Sequence, residues 1–260
     1  MENEFQKYLS FAHYLADCAG NMLIKSYKTN KVILSEKNVE RKKELVTNTD
    51  LLIEKEIIGI IKKYYPEHGI IGEETKSIKS LSNYTWIIDP IDGTKAYALG
   101  LPVFGFLLAL RYKEKIILGL IDQPITKERY WNNLKYSFSN GVRIKTSNSK
   151  DIEKSIVAST DPNMFKDFNA INNTLFRKFY FMRWGTDVFG YLRCAEGKIN
   201  AVIERDIKIW DVAALEPIIK LAGGFLSTWD GKEIGTNDTV LASGNHYLHK
   251  FLLNKLQKFI

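Results

Sequence analysis

Apolar residues recur at helical spacing up to Pro66 and in short strand-like runs beyond it, and this change of period narrows the fold more than any other feature. Phe5, Tyr8, Leu9, Ala12, Leu15, Ala16, Ala19, Met22 and Leu23 lie on one stripe, so residues 3–28 form a long amphipathic helix. Lys28 to Arg41 is polar and irregular, a mobile loop or a small hairpin. Thr49-Asp50 can cap a second helix whose apolar face is Leu52, Ile53, Ile57, Ile60 and Ile61, and Pro66 ends it. His68–Gly72 and Tyr84–Asp89 then read as strands ending in carboxylates. Phe104–Tyr112 and Ile116–Asp122 read as antiparallel neighbours, and Arg129-Tyr130-Trp131 can pair next. The second half repeats the mixture: strands at Ile156–Ser159, Phe179–Arg183, Ile199–Glu204 and Val240–Ala242, helices at Asn163–Asn173, Asp187–Glu196, Asp211–Leu221 and Tyr247–Phe259. Gly197 and Gly223-Gly224 supply helix stops. Strands with helices on more than one side imply an α/β (α+β mixed) layered sandwich. Ser147-Asn148-Ser149-Lys150-Asp151 divides it into halves 1–150 and 151–260 of one compact unit.

Several function classes drop out. A charged residue interrupts every apolar stretch before it reaches the ~18 residues of a membrane span, so no membrane partner is expected. The segment Met1–Lys7 lacks the basic region and apolar block of a secretory signal. Cys18 and Cys194 fit neither C-x-x-C nor a zinc spacing, and read as buried thiols in a reducing cytoplasm. The net charge of +7 would suit nucleic acid, but the lysines are scattered and the densest basic cluster, Arg41-Lys42-Lys43, is flanked by Glu40 and Glu44. A solvated lysine-rich surface is expected instead.

The chemistry concentrates in Trp86-Ile87-Ile88-Asp89-Pro90-Ile91-Asp92-Gly93-Thr94. An apolar strand runs directly into two aspartates three apart, and Gly93-Thr94 then offers free backbone N–H groups at a helix start, where an anion is favoured. Carboxylates about 5 Å apart repel by roughly 3 kcal/mol at an effective dielectric near 20. A hard divalent cation such as Mg²⁺ removes that cost and bridges to phosphate. Gly72-Glu73-Glu74 projects two more carboxylates from another strand end, and Trp210-Asp211 places one at a helix start. Asp211 and the segment Thr47-Asn48-Thr49-Asp50 each face a choice between helix cap and catalytic or metal-binding group.

Gly72-Glu73-Glu74, Asp89-Pro90-Ile91-Asp92-Gly93-Thr94 and Trp210-Asp211-Val212-Ala213-Ala214, in this order, resemble the inositol monophosphatase family. Leu45–Asp50, Gly185-Thr186 and Ala222-Gly223-Gly224 extend the likeness over nearly the whole chain. The resemblance implies a layered α-β-α-β-α sandwich and two or three Mg²⁺ ions. Glu73, Asp89 and the Ile91 carbonyl would hold the first, Asp89, Asp92 and Asp211 the second, and Glu73 would share a third. Thr94 and Asp50 would orient and deprotonate the attacking water, with Glu73 also in the catalytic set, while Gly93 and Thr94 cradle the phosphate. The reaction implied is in-line hydrolysis of a small phosphate monoester. A homodimer is also implied. A basic residue of the 28–43 region approaches the third metal in many members, and here Lys37, Lys42 and Lys43 compete. His13, His68, His246 and His249 lie at no ligand spacing tied to these motifs and read as packing or solvated residues.

The run from Asp89 to Leu110, Gly119–Ile125 with Glu128-Arg129, Asp187 after Gly185-Thr186, and Leu215-Glu216-Pro217 look more like the histidinol-phosphatase branch; Trp210 fits the inositol branch better. Histidinol carries an ammonium and an imidazole, which want carboxylates beyond the metal site. Asp187 and Glu204, with Gly185 and Thr186 beside the former, are the candidates. Inositol 1-phosphate, a bisphosphorylated adenosine nucleotide, or a non-catalytic role at RNA or polymerase remain as alternatives.

Overall fold

The computed structural model describes residues 2–29, 34–39, 42–235 and 239–260. Helix α1 (Glu2–Thr29) buries Leu15, Ala16, Ala19 and Leu23 along the expected stripe, with Glu2 and Glu4 in its first turn and Lys28 in its last, both favourable to the helix dipole. An antiparallel hairpin of β1 (Leu34–Val39) and β2 (Lys42–Thr47) leads into α2 (Asn48–Tyr64). A seven-stranded sheet follows: β3 (Gly69–Gly72), β4 (Tyr84–Asp92), β5 (Gly105–Tyr112), β6 (Lys115–Gln123), β7 (Glu128–Asn132), β8 (Ser137–Ser139) and β9 (Val142–Arg143), paired in chain order. Only the β3–β4 pair is parallel. A short helix α3 (Thr94–Ala98) sits between β4 and β5.

The second sheet has five strands in the order β11-β10-β12-β14-β13, formed by β10 (Ile156–Ser159), β11 (Phe181–Trp184), β12 (Ala201–Arg205), β13 (Phe225–Ser227) and β14 (Thr239–Ser243). The helices of this half are α4 (Phe168–Thr174), α5 (Val188–Ala195), α6 (Ile209–Ala213), α7 (Leu215–Leu221) and α8 (His246–Leu256). Three apolar cores order the layers. One joins α1 and α2 to the seven-stranded sheet, through residues such as Leu15, Ile57, Trp86 and Leu108. The second lies between the two sheets and takes in α5, α6 and α7. The third packs α4 and α8 on the outer face of the five-stranded sheet. The result is the layered α-β-α-β-α sandwich. β4, covered on both faces, is buried along nearly its whole length, which is why it reads as a continuous apolar run rather than an alternating one.

Two positions bring the motif-bearing elements together. A Cβ on Gly119 of β6 would overlap the Ala214 carbonyl, so only a glycine lets the junction of α6 and α7 rest directly on the sheet. Gly93 has φ of +87°, and a Cβ there would lie 2.6 Å from the Val103 carbonyl. The turn from β4 into α3 therefore needs glycine twice over.

The elements expected from sequence are present with shifted ends, and three readings change. The 163–173 helix is broken into a single 3-10 turn, Pro162–Met164, and α4, because Asp161 and Asp167 each cap a separate start. Asp211 does not start a helix that runs to Leu221; it lies inside α6, and α7 is separate. Cys194 is buried as expected, but Cys18 is only half-buried. Of the stretch Lys28–Arg41, Lys28 and Thr29 end α1 and Leu34–Val39 pairs antiparallel with β2, in line with the hairpin reading; residues 30–33 and 40–41 and the side chains of Lys37, Lys42 and Lys43 lie outside the described residues. Strands β8 and β9 were not expected. No helix of the described residues is long and apolar enough to cross a membrane.

Candidate active site

The register of β4 against β5 shifts between Asp89 and Asp92, and that irregularity turns both aspartates to one side of the strand end. The Asp89 carboxylate accepts the Ile91 N–H at 2.9 Å, closing the turn. Thr94 donates its hydroxyl to the Ile91 carbonyl at 3.0 Å. Asp92 reaches across to the other half of the chain, where its carboxylate accepts the Val188 N–H at 2.6 Å, the first turn of α5. Asp211 accepts the Lys208 N–H at 2.8 Å, which fixes the start of α6. The cap reading of Asp211 is thus true, but from inside the helix rather than ahead of it.

One carboxylate oxygen from each of Asp89, Asp92 and Asp211 lies within 4.8 Å of the other two. Burial, then the neighbouring charges of Glu73, Asp92, Asp211 and Asp50, hold Asp89 well above the usual carboxylate range. Asp92 is raised likewise by burial, then by Asp187, Asp211 and Glu204, against the pull of the Val188 N–H. Such a set is unfavourable as three anions, and every donor is a hard oxygen. It fits a divalent cation of the Mg²⁺ type.

Two further acids approach from α2 and β3. Thr47 is the N-cap of α2, and Asp50 returns the bond by accepting the Thr47 N–H at 2.9 Å and the Thr47 hydroxyl. The expected cap at Thr49-Asp50 therefore moves to Thr47. One oxygen of Asp50 carries this duty, while its Oδ1 is buried without a hydrogen-bond partner. Burial pushes the Asp50 carboxyl up to about 6, and Glu74 adds to the rise while the Thr47 bonds oppose it. Thr49, next to Asp50, meets both the Ser26 hydroxyl at 2.7 Å and the Tyr97 hydroxyl at 3.4 Å, which ties α2 to α3 and so to Thr94. Glu73 acts electrostatically on Asp89 from the end of β3.

Beyond this cluster lies a second acidic pair. Glu204, 2% exposed at the end of β12, accepts the Thr160 hydroxyl at 2.6 Å and the Tyr191 hydroxyl at 2.7 Å. Burial pushes it up to about 7 against those two bonds, helped by Asp187 and Asp211. Asp187 has φ of +43°, a conformation rare for a side-chain-bearing residue, and its N–H donates to the Thr160 hydroxyl at 3.1 Å. Burial raises its carboxyl to about 6 while Lys95 pulls the other way.

A sequence profile of the inositol monophosphatase family matches residues 4–260. The chain belongs to the inositol monophosphatase family. Members of this family are metal-dependent phosphatases, and this protein is a phosphatase of that kind. It is 32% identical to the "Bifunctional phosphatase IMPL2, chloroplastic" of Arabidopsis thaliana, over 98% of this chain and 77% of that protein. It is 31% identical to the "Fructose-1,6-bisphosphatase/inositol-1-monophosphatase" of Aquifex aeolicus, over 100% of this chain and 98% of that one. Among solved structures, the extragenic suppressor protein suhB of Bartonella henselae superposes with a TM-score of 0.87 at 26% identity, covering 98% of this chain and 100% of that one.

Within this inositol monophosphatase fold, the sequence-derived site residues fall into three groups. Asp89, Asp92 and Asp211 meet directly. Asp50 and Glu73 act on Asp89, while Asp187 and Glu204 act on Asp92. Gly93 caps α3 and brings its own and the Thr94 N–H to the same turn, whereas Gly185 and Thr186 form the bend that carries Asp187. Thr186 is turned inward, with its hydroxyl buried and unpartnered beside Gly190. The four histidines lie outside this set. His68 accepts the Trp86 indole N–H, and His249 sits between Ser227 and Ser243, both with pKa lowered to about 4 by burial. Sequence reasoning missed Glu54, Thr160 and Tyr191. Only Glu54 left a signal, a charged residue between Ile53 and Ile57 on the apolar face, four residues after Asp50. The contacts of Thr160 and Tyr191 with Glu204 depend on the sheet pairing and leave no local pattern.

Proposed function

We propose that this phosphatase hydrolyses histidinol phosphate to histidinol and phosphate with Mg²⁺. The observation that carries the substrate is the surplus of acid. Asp187 and Glu204 lie within electrostatic reach of Asp92 but outside the three-aspartate cluster. A leaving group that carries an ammonium offsets this extra negative charge, and a neutral polyol does not.

In this reading Asp89, Asp92 and Asp211, with Glu73 and the Ile91 carbonyl, hold two or three Mg²⁺ ions. When bound, Mg²⁺ neutralises the cluster, withdraws charge from the phosphate and makes a water easier to deprotonate. Thr94 orients that water through its hydroxyl, itself fixed on the Ile91 carbonyl. Asp50 takes the proton on its unpartnered Oδ1, and its raised pKa of about 6 suits a base working near neutrality. The N–H groups of Gly93 and Thr94 hold the non-reacting phosphate oxygens. Asp187 pairs with the ammonium of histidinol, and Glu204 supports Asp187 through Thr160, whose hydroxyl donates to Glu204 and accepts the Asp187 N–H. The division into halves 1–150 and 151–260 belongs to the same reading: Asp92, from the first half, accepts the Val188 N–H at the start of α5 in the second, which ties the two together at the site. A homodimer in the cytoplasm completes the proposal.

The Aquifex aeolicus relative's name favours a second reading, inositol 1-phosphate as substrate. The test is Mg²⁺-dependent phosphate release from histidinol phosphate, inositol 1-phosphate, glycerol 2-phosphate and adenosine 3′,5′-bisphosphate at matched concentrations. Histidinol phosphate should give the largest kcat/KM. A larger value for inositol 1-phosphate would replace the proposed substrate and leave the metal chemistry standing.

A further inference from the structure

Glu54 is a fully buried carboxylate on α2, one helical turn beyond Asp50, and no step of the proposed reaction uses it. Its two oxygens are both committed to the segment that follows β3. Oε2 accepts the Glu74 N–H at 2.9 Å, and Oε1 accepts the Thr75 hydroxyl at 2.6 Å. The same carboxylate occupies the space beside Gly72, where a Cβ would lie 2.2 Å from Oε1 and 2.6 Å from Cδ. Gly72 does not have a left-handed backbone, so its lack of a side chain is explained by the carboxylate and not by φ. Glu73 is therefore bracketed: Gly72 before it is packed on Glu54, and Glu74 and Thr75 after it are hydrogen-bonded to Glu54.

A buried carboxylate costs free energy unless its lone pairs are used, and an apolar residue at this point of the α2 face would satisfy the core equally well. The bonds that Glu54 makes set where the backbone of Glu73 stands. Because Asp50 projects from the preceding turn of the same helix, one rigid element fixes both acids relative to Asp89. We infer that Glu54 is a positioning residue for the metal centre, holding the Gly72–Thr75 segment so that Glu73 meets the cation shared with Asp89. This rests on the proposed ligand role of Glu73.

The test is Mn²⁺ binding to the full-length protein, measured by electron paramagnetic resonance of free Mn²⁺ without substrate, alongside thermal melting in EDTA. Glu54→Gln can still accept the Glu74 N–H through its amide oxygen and donate to Thr75, so its Mn²⁺ affinity should stay within about threefold of wild type. Glu54→Ala removes both bonds and should weaken Mn²⁺ binding at the tightest site by about tenfold or more. Thr75→Val, on an exposed residue whose loss leaves the core intact, should weaken it by a few-fold in the same direction. If Glu54→Ala fails to fold, Gln and Thr75→Val still decide the matter. Lowered melting temperatures with unchanged Mn²⁺ affinity in the Ala and Val variants would overturn the inference and leave Glu54 a stabilising residue only. Wild-type protein that binds no Mn²⁺ would instead overturn the ligand role of Glu73 on which the inference stands.

Discussion

Replacing Asp92 by Asn should raise the melting temperature of metal-free protein and abolish turnover. One carboxylate oxygen from each of Asp89, Asp92 and Asp211 lies within 4.8 Å of the other two, so each fully ionised pair repels by about 3.5 kcal/mol at an effective dielectric near 20. Asp92 belongs to two such pairs, and Asp187 adds to the repulsion. Proton uptake already relieves part of it, as the raised carboxyls of Asp89 and Asp92 indicate, which leaves about 1–3 kcal/mol for the substitution to recover. An Asn side chain has nearly the same shape, and its amide oxygen can keep the bond from the Val188 N–H, so no packing or cap is lost. In a chain of this size that gain corresponds to a rise of several degrees. Calorimetry in EDTA at pH 7.5, repeated across a Mg²⁺ titration, reads both halves of the effect. The variant should melt higher than wild type without metal and gain less from Mg²⁺. A variant that melts lower in EDTA, gains as much from Mg²⁺ and turns over at near-normal rate would refute the assignment of Asp92 to the cation.

Thr94→Ala should reduce kcat by tenfold or more with KM little changed, because it disturbs a water and not the backbone phosphate cradle; a rise in KM with kcat intact would make Thr94 a binding residue. Asp187→Asn should lower kcat/KM for histidinol phosphate by about tenfold, the value of a charged hydrogen bond in a partly desolvated cleft, while glycerol 2-phosphate is hydrolysed as before; equal losses on both esters would place Asp187 in the fold or the metal site instead. Metal-free protein should lose stability as pH rises. The folded-state carboxyls of Asp50 and Asp187 near 6 and Glu204 near 7 exceed their unfolded values, so the folded state binds protons more tightly; the resulting stability is complete below about pH 4 and is lost as pH passes through 6 to 7. Glu204 alone accounts for a change on the order of 3 kcal/mol, and melting in EDTA that is flat or rising from pH 5 to 8 would contradict this.

How much of this is legible in the sequence alone depends on whether the signal is local. The long amphipathic α1, the buried β4 and the Asp-Pro-Ile-Asp-Gly-Thr turn each declare themselves within a dozen residues, because period, burial on both faces and turn chemistry are short-range properties. The breaks were less legible. Nothing in the apolar spacing separates α6 from α7 or splits the 163–173 region, since capping by Asp161 and Asp167 competes with helix continuation on nearly equal terms. The clustered carboxylates of Asp89, Asp92 and Asp211 are legible as motif residues, but the groups that support them are not. Val188 capping by Asp92 spans 96 positions, and the Thr160 bond to Glu204 spans 44. Such bonds follow from strand order in two sheets, which no local pattern records. Glu54 is the intermediate case, visible as a charge on an apolar stripe yet silent about what it holds.

Anomalous scattering from crystals grown with Mn²⁺ would examine the acidic cluster most directly. The account predicts a strong peak within about 2.2 Å of a carboxylate oxygen from each of Asp89, Asp92 and Asp211, and another bounded by Asp89, Glu73 and the Ile91 carbonyl. Crystals of protein that is active with Mn²⁺ but shows no peak between the three aspartates would contradict it.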